Sequence, residues 1–195
     1  MWMVVLLPAS RVNGTDRVSD PEIMANTPRL IIVMGVCGSG KSTIAKMLAN
    51  ALNADFLDAD DYHPAANVAK MSRGDALNDE DRWPWLKDFA QAMASQSDVC
   101  VGACSALKKS YRDSLYSEAN ESVLFVHLDG NKPLLMERMS ARTEHFMPTA
   151  LLDSQLATLE MPGSDECAIS VDISGTPQQI IQLIQQQIKE NGYDK

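Results

Sequence analysis

One octapeptide constrains this chain more than any other feature. Gly35-Val36-Cys37-Gly38-Ser39-Gly40-Lys41-Ser42 satisfies G-x-x-x-x-G-K-[ST] at every position. It follows the apolar run Leu30–Met34 and opens a helical pattern at Lys41. That strand–loop–helix context separates a phosphate-binding loop from a Gly-rich turn arising by chance. Glycines remove the Cβ atoms that would keep backbone N–H groups from curling round a phosphate, and the helix N-terminus adds partial positive charge. The expected nucleotide-binding set is therefore Gly35 to Ser42 with Thr43. Lys41 can reach the β- and γ-phosphates and Ser42 can ligate Mg²⁺. Cys37 reads as a small side chain turned away from the nucleotide.

Such a loop implies a nucleoside triphosphate without saying what is done with it. The small size and the lack of an N-K-x-D base-reading motif favour a small-molecule kinase over a switch. From Arg29 onward, short β-rich runs alternate with helical patterns, the signature of βαβ units and a mostly parallel sheet. The expected strands are Leu30–Met34, Asp55–Asp58, Val99–Ala103, Ser122–Leu128 and Ala168–Ile173. Helices are expected near 41–53, 64–73, 79–95, 105–119, 132–142, 148–159 and 177–191. Pro84 should fall in the first turn of the third helix, with Asn78, Asp79 or Asp81 as its N-cap. Ile180, Ile181, Leu183, Ile184 and Ile188 form one apolar helical stripe.

Charge narrows the partners. With 26 acidic against 17 basic residues the chain carries −9, which excludes a general nucleic-acid binder. Nine of the 17 basic residues (Lys41, Lys70, Arg73, Arg82, Lys108, Lys109, Arg112, Arg138 and Arg142) nevertheless lie in or beside the motif segments. An acidic shell around a basic cleft suits two small anions. Cys37, Cys100, Cys104 and Cys167 show no C-x-x-C spacing, so they read as reduced thiols of a cytoplasmic protein rather than zinc ligands. The run Met1–Leu7 is far too short to span a bilayer, which takes ~20 apolar residues. Residues 1–28 read as a disordered extension, with Met24 as an alternative start, and residues 29–195 as a single domain with no membrane partner.

The acceptor should lie beside the loop. Asp58-Ala59-Asp60-Asp61-Tyr62-His63-Pro64 ends the second expected strand, putting carboxylates at the C-terminal sheet edge. A phosphoryl acceptor needs a carboxylate to orient its hydroxyl and take its proton. Two later segments, Gly74 to Leu86 (with Asp79, Asp81, Arg82, Trp83, Pro84 and Trp85) and Cys104 to Asp113 (C-S-A-L-K-K-S-Y-R-D), complete the pattern.

Together these segments, in this order, resemble the gluconokinases of the small P-loop, thermoresistant type. The likeness extends through Arg138-Met-Ser-Ala-Arg142 to Ser154-Gln155 and Val171-Asp172, from about Leu30 to Ile188. Cys37, Ala59, Asn78 and Glu80 depart from that family's usual residues. The resemblance implies a nucleoside-monophosphate-kinase-like three-layer α/β/α fold, with a five-stranded sheet and a mobile lid near 138–150. It implies transfer from ATP, with Mg²⁺, to the 6-hydroxyl of D-gluconate, and a homodimer. Lys41, Asp58, Asp60 and Arg142 are then the expected catalytic residues, with Arg138 on the nucleotide. Asp60, His63, Arg82, Lys108 and Arg112 are expected on the substrate, and Ser42, with Asp58 through water, on the metal. Whether Asp58 or Asp60 serves as base stays open. A shikimate-type kinase is the nearest rival, since it too needs a loop, a strand-end Asp and carboxylate-binding arginine.

Overall fold

In a computed structural model, residues 28–141 and 149–191 are described. The apolar runs form β1 (Leu30–Met34), β2 (Asp55–Asp58), β3 (Cys100–Ala103), β4 (Val123–Asp129) and β5 (Ala168–Asp172). They join in one sheet of order β2-β3-β1-β4-β5, and every pairing is parallel. Parallel neighbours need crossover connections. Here these carry the helices α1 (Lys41–Leu52), α2 (Ala65–Ser72), α3 (Asp79–Ala94), α4 (Lys109–Ala119), α5 (Lys132–Ser140) and α6 (Thr149–Thr158). β5 is followed by α7 (Pro177–Asn191).

All five residues of β1 are buried, and the period-two geometry of a strand divides them between two cores. Ile31 and Val33 pack with Ile44 and Leu48 of α1 and with Ile180 and Ile184 of α7. Leu30, Ile32 and Met34 pack with Leu86 and Phe89 of α3 and with Leu115 of α4. A strand covered on both faces has no polar side to present, which explains the unbroken apolar run. The result is the expected three layers. In α7, Leu183 falls outside the stripe and is 41% exposed, because it sits at the edge of the face set by Ile180, Ile184 and Ile188.

Two helix expectations need correction. Asn78 caps α3 in a reciprocal box, accepting from Asp81 N at 2.9 Å while Asp81 Oδ2 accepts from Asn78 N at 2.8 Å. Pro84, however, is the sixth helical residue and not in the first turn. Its missing N–H deprives only the exposed Glu80 of an intrahelical donor, so the usual penalty is relieved by solvent. The fourth expected helix starts at Lys109 instead of residue 105. Ala106 adopts φ 43°, a left-handed conformation that no helix accommodates. His127 is buried in β4 with Nδ1 3.2 Å from the Ser170 hydroxyl, a satisfied strand residue.

Gly102 in β3 sets how closely α3 approaches the sheet. A Cβ there would stand 2.7 Å from Phe89 Cζ and 2.8 Å from Met93 Sδ. Overpacking a filled core costs about 1–3 kcal/mol. Gly102→Val is therefore expected to lower unfolding free energy by about that amount in urea titration; an unchanged midpoint would contradict the close α3–β3 contact.

Candidate active site

The loop after β1 is built on glycine. Gly38 has φ 81° and Gly40 φ 91°, conformations that L-residues with a Cβ rarely adopt. A Cβ on Gly38 would also lie 2.9 Å from Leu135 O of α5. No side chain caps α1, which leaves its first N–H groups to an incoming anion. The Val36 carbonyl gathers the loop's own donors: Ser39 Oγ at 2.8 Å, Ser39 N at 3.3 Å and Lys41 Nζ at 3.1 Å. Burial pushes the Lys41 ammonium below its ordinary pKa, and the Asp60 charge opposes that shift. Val36, Cys37 and Ser39 are buried, whereas Thr43 is exposed.

Parallel pairing brings the ends of β2 and β3 beside this loop. Gly35 N donates to Ser105 O at 3.3 Å, and Cys104 N to Val33 O at 3.1 Å. Asp58 ends β2 and uses both carboxylate oxygens. Oδ2 accepts from the Ser42 hydroxyl at 2.7 Å, and Oδ1 accepts from Asp60 N at 3.2 Å, capping a 3₁₀ turn over Ala59–Tyr62. The Asp60 side chain is 86% exposed. Partial desolvation at the sheet edge raises its pKa, and the neighbouring Asp58 charge raises it further.

His63 follows the turn and stacks on Trp85 at 4.1 Å between ring centroids. The Trp85 indole N–H donates to Ala59 O at 2.6 Å, so Trp85 is the buried member of the Trp83/Trp85 pair. His63 Nε2 lies 4.0 Å from Asp60 Oδ1, while its Nδ1 is buried with no hydrogen-bond partner among the described residues. Burial lowers the His63 pKa, Asp60 opposes this and Arg82 adds to it, so the imidazole is neutral at pH 7.

The cations Arg82 and Lys108 lie over the Tyr111 ring, 5.6 Å and 5.2 Å from its centroid. Asp79 holds this group together. It accepts from Lys108 Nζ at 2.9 Å and from the Tyr111 hydroxyl at 2.5 Å, and lies 3.8 Å from Arg82 NH1. The Tyr111 and Lys108 hydrogen bonds hold its carboxyl below the ordinary range. The sequence offers Asp79 as a capping candidate and leaves Tyr111 open between packing and substrate binding. Their fixed places in the D-x-D-R and K-x-x-Y-R-D segments were the available signal.

Arg112 corrects an expectation. Its guanidinium does grip a carboxylate, but that of Glu166: Nε donates at 2.5 Å and NH2 at 2.9 Å. NH1 reaches Ala106 O at 3.1 Å, Leu107 O at 3.3 Å and Glu160 O at 3.0 Å. At 1% exposure it presents no surface to a ligand. It braces the loop between β3 and α4 against residues 160–166. Arg138 donates to Ile173 O at 2.5 Å and to the loop carbonyl of Ser39 at 3.5 Å. Arg142 lies outside the described residues, as does most of the expected lid.

A family model described as an AAA domain matches residues 30–162. The thermoresistant gluconokinase of Escherichia coli (strain K12) is 45% identical over 145 residues, covering 73% of this chain and 82% of that protein. A gluconokinase crystal structure from Sinorhizobium meliloti 1021 superposes with a TM-score of 0.78 at 41% identity, over 85% of this chain and 94% of that one. Shikimate kinase from Acinetobacter baumannii shares the fold alone, with a TM-score of 0.56 at 17% identity over 89% of this chain and 100% of that one.

Removing one partner of a buried ion pair strands the other charge and costs about 3–5 kcal/mol. Arg112→Ala should therefore lower the unfolding free energy by about that amount in chemical denaturation. A stable variant with only a raised substrate KM would return Arg112 to the binding site. Arg112 also holds the Glu166 pKa low. The pair's contribution is thus present above the unfolded glutamate pKa and disappears as pH falls through the lower folded value.

Proposed function

Because this chain belongs to the gluconokinase family, we propose that it phosphorylates D-gluconate at the 6-hydroxyl with ATP, giving ADP and 6-phospho-D-gluconate. The observation that carries the reading is one continuous arrangement. The phosphate loop, the strand-end acids Asp58 and Asp60, and Lys108 follow three adjacent strands, and Arg82 joins Lys108 from α3. A sugar acid needs a cradle for the donor phosphates at one end and cations for its carboxylate at the other.

Asp58 and Asp60 divide the two tasks that the sequence leaves open. Asp58 is engaged with Ser42, so its place is on the metal side. A hydroxyl and a carboxylate 2.7 Å apart form a hard-oxygen pair suited to Mg²⁺, which usually takes few protein ligands and completes its shell with phosphates and water. When bound, Mg²⁺ neutralises charge on the transferring phosphates. Asp60, exposed and close to Lys41 and His63, is assigned to orient the 6-hydroxyl and accept its proton. Neutral His63, whose Nε2 lies 4.0 Å from Asp60 Oδ1, is assigned to a sugar hydroxyl, and Arg82 and Lys108 receive the carboxylate. Lys41 exchanges the Val36 carbonyl for phosphate oxygens. Arg138 and Arg142 are assigned to the nucleotide side, Arg142 stabilising the transferring charge. The cytoplasmic location rests on reading the four cysteines, which show no C-x-x-C spacing, as reduced thiols, and the homodimer on family likeness.

A panel assay of ADP release tests the acceptor, using Mg-ATP with gluconate, shikimate, glycerate or AMP. Turnover is expected with gluconate; its absence alongside robust activity on another acceptor would overturn the reading. Asp60→Asn should lower kcat by roughly 10²–10⁴, the usual range for a lost general base. Since Asp60 acts only when ionised and its pKa is raised, kcat/KM should fall with decreasing pH through a value above the ordinary aspartate pKa of about 3.9. An acid limb at or below that value would reject Asp60 as the base.

A further inference from the structure

We infer that Gln155 is a positioning residue for the phosphate loop: it fixes the orientation of the Val36–Cys37 peptide and, through it, the resting place of the Lys41 ammonium. The inference rests on the nucleotide-binding loop and not on the identity of the acceptor.

A peptide unit is planar, so holding its N–H also sets where its carbonyl points. Both ends of this unit are held. The Val36 carbonyl accepts from Lys41 Nζ, Ser39 Oγ and Ser39 N, and all three donors belong to the same loop. Bonds within one loop can shift together. The other end is anchored from outside: Cys37 N donates to Gln155 Oε1 of α6 at 2.6 Å, across 118 positions of sequence. Cys37 is largely buried, so losing that acceptor would impose a desolvation penalty on its N–H. The peptide could then rotate to find another acceptor, taking the Val36 carbonyl away from Lys41.

Neighbouring contacts make this anchor consequential. Cys37 Sγ lies 3.6 Å from Met139 Sδ of α5, and Gly38 abuts the Leu135 carbonyl. The loop is thus wedged between α5 on one side and Gln155 on the other. Gln also suits the place chemically. Its carboxamide oxygen accepts without charge, whereas a carboxylate would accept equally well but set a negative charge beside the phosphates.

Two variants of the full chain test the assignment. Gln155→Met keeps the approximate shape and removes the acceptor; Gln155→Glu keeps an acceptor and adds charge. With the Met variant, the Cys37 amide proton should move upfield in ¹H–¹⁵N spectra. The dissociation constant for Mg-ADP, measured by calorimetry without any acceptor present, should rise about three- to tenfold, the worth of one net hydrogen bond. KM for gluconate should stay within about twofold, a limit chosen below that hydrogen-bond effect. In the Glu variant the Cys37 amide should remain downfield, and its loss of ADP affinity should shrink as salt is raised. An unmoved Cys37 amide or unchanged ADP affinity in the Met variant overturns the assignment. So does a parallel rise in both substrate KM values, which would indicate packing alone. If the Met variant does not fold, the Glu variant decides through the Cys37 resonance: downfield supports the assignment and upfield overturns it. Failure of gluconate turnover in the wild type would sink the proposed acceptor while leaving the ADP and amide measurements valid.

Discussion

Parallel pairing of β1 with β3 and β4 is the constraint on which the rest depends. A parallel sheet sends every strand's carboxyl end to one edge, so the segments after β1, β2 and β3 must meet there. The order β2-β3-β1-β4-β5 makes neighbours of β1 and β3, whose onward connections depart in opposite directions, to β2 and to β4; between such strands lies the crevice where open α/β sheets bind ligands. The Gly35–Ser105 and Cys104–Val33 backbone bonds tie two of these segments together. The Trp85–Ala59 bond ties the third to α3. Residues far apart in sequence thereby become one site without any one segment carrying it.

Charge is arranged differently from a simple basic cleft in an acidic shell. Several cations near the cleft are held by internal acids: Lys108 by Asp79, Lys70 by Asp81, and Arg112 by Glu166. The exposed or half-exposed pairs gain little stability; their value lies in restricting long side chains that would otherwise lose entropy on binding. The Arg112 pair differs because it is buried, and removing either member leaves an uncompensated charge. Two arginines thirty positions apart thus take opposite roles. Arg82 stays partly exposed beside Tyr111, while Arg112 is consumed within the protein.

Much of the architecture was legible because it is periodic. The five strands appeared as apolar runs, and α1 and α7 as helical stripes, since burial on known faces leaves a pattern in the residue order. The departures lie where backbone conformation obeys a distant contact. Ala106 takes a left-handed conformation, and the carbonyls of Ala106 and Leu107 both turn to Arg112, so α4 begins later than its composition suggests. Pro84 sits deeper in α3 because an exposed turn tolerates the missing donor. In the site, Lys41, Ser42, Asp58, Asp60 and His63 were legible from motif spacing. Asp79, Tyr111 and Gln155 were not assigned to the site, because each is tied to it by a partner at least 29 positions away.

The sequence by itself determined the phosphate loop, the alternation of strands and helices and the chemical types offered to an acceptor, because each is written in local spacing. Only the tertiary structure decided which charges remain available. That choice depends on burial and on partners such as Glu166, which lies 54 positions from Arg112, and no local pattern encodes it. The same holds for the peptide that anchors Lys41: its carbonyl is held by the motif, but its N–H is held by Gln155, a residue that only folding brings to it.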